Sequence, residues 1–243
     1  MLIYRLPIAM SFKKGRSICV SCRHELHSKD LFPLFSWLFL LGKCRYCKAK
    51  ISARYPLVEA LNGTLYVLIY IFIAGGNGLS GFSIALLGWF AAISALIVLS
   101  FVDLEHQIIP DSMWITIFIG GILVFIDEII NDGFEWQKLL NRVIGIFAVG
   151  GLFFLIGVIS GGRAMGGGDV KLMAAAGFLL GWKLIILSLF LGAFAGVLYS
   201  LLSKLINKTK MRGAVPFGPF LSIGIVLSMF VGDSLIEAYL SIL

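Results

Sequence analysis

Polar and apolar residues in this chain are sorted into long blocks rather than short periods. A mixed, basic stretch runs to residue 55, and seven apolar runs follow at 56–74, 81–102, 112–128, 140–160, 170–182, 184–203 and 217–240. Most are near the roughly 20 residues needed to cross a hydrocarbon core as a helix. The predicted fold is therefore all-α: a polytopic membrane helix bundle of about seven spans behind a small N-terminal segment. The pattern divides the chain into 1–55 and 56–243. The fifth run, "VKLMAAAGFLLGW", is short. A short or glycine-interrupted segment is tolerated where it lines a cavity or packs inside the bundle.

Composition excludes an ordinary soluble domain. Of 243 residues, 59% are hydrophobic and only 14% charged, and the mean hydropathy is +0.99. Charge adds an orientation, because Lys and Arg are retained on the cytoplasmic side. Eleven of the 20 basic residues precede the first span, so the N-terminal segment is expected in the cytoplasm. Counting spans from there places the loops 103–111, 161–169 and 204–216 on the same side, and the last carries Lys204, Lys208, Lys210 and Arg212. The loop 128–139 is acidic, with Glu128, Asp132 and Glu135 against Lys138, and the C-terminus falls outside. The net charge of +7 reads as topology plus attraction to anionic membrane lipids. No recognised module for nucleic acid accompanies it. No cleavable signal peptide is visible in "MLIYRLPIAMSFKKG", which lacks a long apolar core.

The cysteines change the picture of the N-terminal segment. All four lie there as two pairs, Cys19–Cys22 and Cys44–Cys47, each CxxC, with 21 residues between them. Two such knuckles close a four-sulfur shell, the usual form of structural zinc, which leaves no open position for catalysis. The flanking Arg23, Lys43, Arg45 and Lys48 favour thiolates, and a cytoplasmic location disfavours disulfides. His24 and His27 read as exposed polar residues. Between the knuckles, "LFPLFSWLFLLG" is too short to span. It reads as an interfacial segment anchored by Phe35, Trp37 and Phe39, with a domain core as the other option.

Two carboxylates stand at membrane depth. Asp103 ends the second span in "FVDLEHQIIPDS", and Asp169 follows Gly166, Gly167 and Gly168 at the start of the fifth. Ionisable groups so placed are costly and point to function. Both belong to cytoplasmic loops, so they can meet, and a pair sharing one proton could activate water as an aspartyl protease does. The glycines would allow backbone conformations closed to other residues and let a substrate strand approach. Asp111 reads as the N-cap of the third span. Glu59, near the start of the first span, is either a partner of the helix dipole or a ligand contact. For Asp103 the alternative is a helix-end residue solvated at the interface. An ion or metal transporter whose path is lined by Asp103, Asp169 and Glu59 stays open on these residues alone, as does a scaffold that binds without cutting.

The ordered set "RLP", CxxC, CxxC, "CKAKISARYPLVE", "DLEHQIIPD", "GGGDVKL" and "PFGPFL" resembles the prepilin peptidases, or type IV leader peptidases, across nearly the whole chain. The resemblance implies an intramembrane aspartyl protease of the GxGD type in the bacterial inner membrane. Its substrates would be prepilins or pseudopilins, whose basic leader is removed after a glycine. It further implies methylation of the new N-terminus with S-adenosylmethionine. By motif it assigns Asp103 and Asp169 as the catalytic pair, choosing Asp103 over Asp111. It makes Gly166, Gly167, Gly168, Lys171 and Glu59 candidates for shaping the site, and Cys19, Cys22, Cys44 and Cys47 the zinc ligands. Members of that family usually start with one further transmembrane helix leading into "RLP". Here either the start is assigned too late or this member works with one helix fewer.

Overall fold

Hydrocarbon offers no partner to a bare N–H or C=O, so each apolar run must close its own hydrogen bonds as a helix. The computed structural model describes residue 3 and residues 17–73, 83–207 and 216–241. The "RLP" stretch and the basic positions 208, 210 and 212 lie outside the described residues. Among the described residues there are eight α-helices: α1 (Phe35–Phe39), α2 (Arg54–Ile73), α3 (Ile84–His106), α4 (Asp111–Asp132), α5 (Trp136–Ile159), α6 (Gly167–Leu180), α7 (Trp182–Asn207) and α8 (Gly218–Leu240). Six of them, α2 to α5, α7 and α8, are long and apolar enough to cross a membrane. The chain is a multi-pass helical membrane protein. It divides into two compact units, Met1–Leu68 and Ile69–Leu243.

Within the second unit the closest neighbours are consecutive pairs, α3 with α4, α5 with α6 and α7 with α8. Each pair meets at a seam of small residues. A Cβ on Gly88 would strike the Gly120 carbonyl, one on Gly145 the Gly177 carbonyl, and one on Gly224 the Ser188 carbonyl. Backbones that touch in this way gain dispersion contacts, which must drive helix association where lipid is as apolar as leucine. α6 sits innermost, packed against α4, α5, α7 and α8, with Leu172, Met173 and Ala176 fully buried. At 14 residues it is about 21 Å long at ~1.5 Å per residue, short of a hydrocarbon core of about 30 Å. The short fifth run is thus an interior helix, as its length suggested.

Two local expectations are corrected. Asp111 does not cap α4: Pro110 holds the N-cap position and Asp111 is already the first helical residue. Its carboxylate instead accepts from Trp114 Nε1 at 2.8 Å and Lys171 Nζ at 2.7 Å. A partner on another helix outcompetes the local N–H groups. Trp37 is not a free interfacial anchor. Its indole Nε1 donates to the Ile51 carbonyl at 3.1 Å and its ring fills the space beside Gly42, so it holds the N-terminal unit together. Phe35 and Phe39 do project outward, 53% and 82% exposed.

Candidate active site and metal centre

The end of α3 and the first turns of α6 and α8 build one site. Asp103 lies in the last turn of α3 and is only 6% exposed, which removes the solvated helix-end reading. Its Oδ2 accepts the backbone N–H of Gly218 at 2.9 Å. Gly218 opens α8 within the stretch "PFGPFL", and only a residue without a side chain fits there, since a Cβ would sit 2.7 Å from the same oxygen. The free N–H groups of a helix N-terminus suit a carboxylate.

Asp169 stands in the first turn of α6, half-buried. Beyond Asp103 the chain turns at Gln107, in the left-handed region at φ 54°, and Ile109 then packs on the opening of α6. A Cβ on Gly168 would lie 2.8 Å from the Ile109 Cβ. Lys171 fastens the same junction from the other side through Asp111, with its ammonium 5.8 Å from the centre of the Trp114 ring.

The glycines therefore serve differently from the expectation. Gly166 has φ −72°, an ordinary value, and the left-handed conformations fall earlier, at Gly161 and Gly162. What Gly166 and Gly168 supply is room: for the Asp169 carboxylate, which would lie 2.9 Å from a Cβ on Gly166, and for Ile109. Beside Gly167 nothing lies within 4 Å, so the backbone next to Asp169 is open on that side. Glu59 belongs to the N-terminal unit, where its Oε2 accepts the Leu34 N–H at 2.9 Å and ties α2 to the start of α1. Sequence reasoning had no means of finding the Gly218 N–H, because a backbone donor 115 residues from its acceptor leaves no side-chain signature.

The four thiols form a second constellation. The two CxxC turns are structural twins. Cys19 N–H bonds the His24 carbonyl as Cys44 N–H bonds that of Ala49, and the Arg23 and Lys48 N–H groups close back on the Cys19 and Cys44 carbonyls. Arg23 and Lys48 both turn through the left-handed region, at φ 56° and 59°. The four Sγ atoms lie within 4.8 Å of one another, and the Cys19–Cys47 pair is 3.9 Å apart. Tetrahedral zinc with Zn–S of about 2.3 Å requires sulfurs about 3.8 Å apart, so the cluster fits a metal of that kind. Backbone N–H groups of Cys22 and then Ser21 bond the Cys19 sulfur and hold its thiol down at about 6, which readies a thiolate at neutral pH. His24 stacks on Tyr46 at 3.8 Å between ring centres and stands outside the sulfur cluster. A carboxylate braces the second knuckle. Burial pushes Asp30 up, but Arg45, Tyr46 and the His27 N–H outweigh this and hold it below the usual carboxylate range.

The bundle thus buries one aspartate at the end of a span and holds a second, half-buried, at the start of its interior helix. The comparisons with known proteins give the family. Residues 1–73 match the "Bacterial Peptidase A24 N-terminal domain" and residues 90–201 the "Type IV leader peptidase family". A "Prepilin leader peptidase/N-methyltransferase" of Aeromonas salmonicida is 33% identical over 227 residues, covering 93% of this chain and 75% of the relative. One from Bacillus subtilis is 33% identical over 240 residues, covering 97% and 90%. No solved structure matches. The chain belongs to the type IV leader peptidase family.

Proposed function

We propose that this chain is an aspartyl endopeptidase that removes the leader from type IV prepilins or pseudopilins in the bacterial inner membrane, and then methylates the exposed N-terminus. The arrangement that supports the proteolytic part is buried Asp103 and half-buried Asp169, joined by the loop after Asp103, whose Ile109 packs on Gly168 beside Asp169. Two close carboxylates cannot both ionise cheaply, so one holds a proton while the other does not. The ionised member takes a proton from water as that water attacks the scissile carbonyl. The protonated member donates to the carbonyl oxygen, and collapse of the tetrahedral intermediate returns a proton to the leaving nitrogen. The open flank at Gly167 gives an extended substrate strand a place beside Asp169. We place this end of the bundle at the cytoplasmic face, on the distribution of basic residues. Residues 1–55 would be the zinc-binding segment, with Cys19, Cys22, Cys44 and Cys47 as ligands of a structural ion, and 56–243 the protease domain.

For methylation the support is narrower and comes from the relatives' names. In the N-terminal unit a shallow groove is lined by Lys29, Phe32, Phe35, Ser36, Phe39 and Arg45. Its neighbouring acid, Asp30, is committed to Arg45 and Tyr46. No residue is assigned to the methyl donor.

The test is co-expression with a prepilin, followed by the mass of the pilin N-terminus. Loss of the leader together with one added methyl group is expected. A cleaved but unmethylated product would restrict the chain to proteolysis, and an intact prepilin would refute the proposal. The floor of the site offers a second measurement. Gly218→Ala should lower the cleavage rate about 100-fold, because a methyl pressed on Asp103 shifts the carboxylate by a large part of an ångström. The clash is confined to the Asp103 side chain and alanine is a good helix former, so membrane insertion should be unaffected. A near wild-type rate would show that Asp103 need not sit where Gly218 holds it.

A further inference from the structure

Among the described residues of the second unit only two Asp, Glu, Lys or Arg residues are buried: Asp103 and Arg142, each 6% exposed. The proposal above uses the first and leaves the second without a task. Arg142 projects from the second turn of α5 and donates through one nitrogen to the carbonyls of Phe178 and Leu179, at 2.9 and 3.0 Å. Through the other it pairs with Glu128 of α4 at 2.5 Å. Its guanidinium also lies 5.5 Å from the ring centre of Phe125 and 5.9 Å from that of Phe178. The neighbouring Asn141 accepts the Trp182 N–H at 3.2 Å.

Phe178 and Leu179 belong to the last turn of α6, the helix whose first turn carries Asp169. The final four carbonyls of any helix lack partners within it, and a helix of about 21 Å cannot bring both ends to water across about 30 Å of hydrocarbon. Arg142 finishes the end that most needs it. The contact also resists sliding. The seam between α5 and α6 is lined by Gly145, Gly150, Ala174 and Gly177, small residues that let the backbones touch but interdigitate little along the axis. A planar guanidinium with one nitrogen bonded to two successive carbonyls and the other to an acid on a third helix fixes height and rotation together.

We propose that Arg142, braced by Glu128, is a positioning residue for the proteolytic site: it sets the axial register of α6 and so the place of Asp169 relative to Asp103. This rests on the reading of Asp169 as catalytic. The charge lies at the opposite end of α6 from Asp169 and so acts through the helix, without meeting substrate.

The experiment measures kcat and KM for a prepilin with purified, membrane-inserted enzyme, normalised to folded protein. Arg142→Met combined with Glu128→Gln removes both charges, so no buried ion is orphaned. It should lower kcat about 100-fold, the scale on which a displacement near 1 Å acts, while KM stays within about twofold because the substrate groove is untouched. Arg142→Lys, which keeps the pairing with Glu128 but lacks the fork, should recover part of the loss. A purely structural role would reduce the yield of folded enzyme and leave kcat per folded molecule unchanged, and that result overturns the proposal. If the double variant does not accumulate, the Lys variant decides: wild-type kcat refutes the proposal and reduced kcat at constant KM supports it. Asp169→Asn is run beside them. Cleavage surviving in that variant would fault the catalytic reading itself, whereas a dead Asp169→Asn with fully active Arg142 variants faults only the register role.

Discussion

Asp103→Asn and Asp169→Asn should each abolish removal of the leader from a prepilin in membranes, with the protein inserted at its normal level. The expected loss is at least about 10⁴-fold, because the proton transfers to and from the reacting groups, each worth about 10²–10⁴-fold, run through this one pair. Asparagine is nearly isosteric with aspartate and still accepts the Gly218 N–H that holds Asp103 at 2.9 Å, so geometry survives while proton exchange does not. Stability should not fall either. A buried carboxylate is costly to ionise, and the neutral amide lifts that cost at Asp103. Cleavage by immunoblot, normalised to enzyme in the membrane fraction, is the measurement. Either variant cutting near the wild-type rate would remove its aspartate from the chemistry.

The spans were legible because the rule behind them is local: an apolar run at membrane depth has no choice but helix. The interior place of α6 was legible for the same reason, through its length. What the chain did not disclose was which atom each polar group would find. Asp103 and Asp111 flank one loop and look alike in sequence, yet one is buried against Gly218 and the other is exposed and bonded to Lys171 and Trp114. Trp37 carries the same signature in an apolar run whether it enters lipid or folds onto the Ile51 carbonyl. Two of the glycines before Asp169, Gly166 and Gly168, stand where a side chain would not fit, while Gly167 has open space beside it. They misled about why, since the constraint is contact with Ile109 and with the Asp169 carboxylate rather than backbone angle. Arg142 did leave a signal, a lone cation within the run 140–160. By the rule applied to Asp103 it called for a partner.

Loss of one cysteine should undo the N-terminal unit. Among described residues 17–53, only Cys19, Gly42 and Cys44 are buried, so this segment has no apolar core able to offset the entropy of ordering it. Segments of this size fold when a metal supplies the missing energy, about 10–16 kcal/mol for structural zinc in small fingers. The twin knuckles, joined through sulfurs that all lie within 4.8 Å, are arranged for that purpose. Cys44, 2% exposed, is the most enclosed of the four. Cys44→Ser should therefore bring the metal content of purified protein from about one ion per chain to near none, and open the stretch between the knuckles to limited proteolysis. The Asp30–Arg45 pair and the Trp37 indole bond to Ile51 cannot substitute. One half-exposed ion pair and one hydrogen bond are far weaker than a bound structural metal. If Cys44→Ser kept the metal content and protease resistance of the wild type, the four sulfurs would not be what holds this unit together.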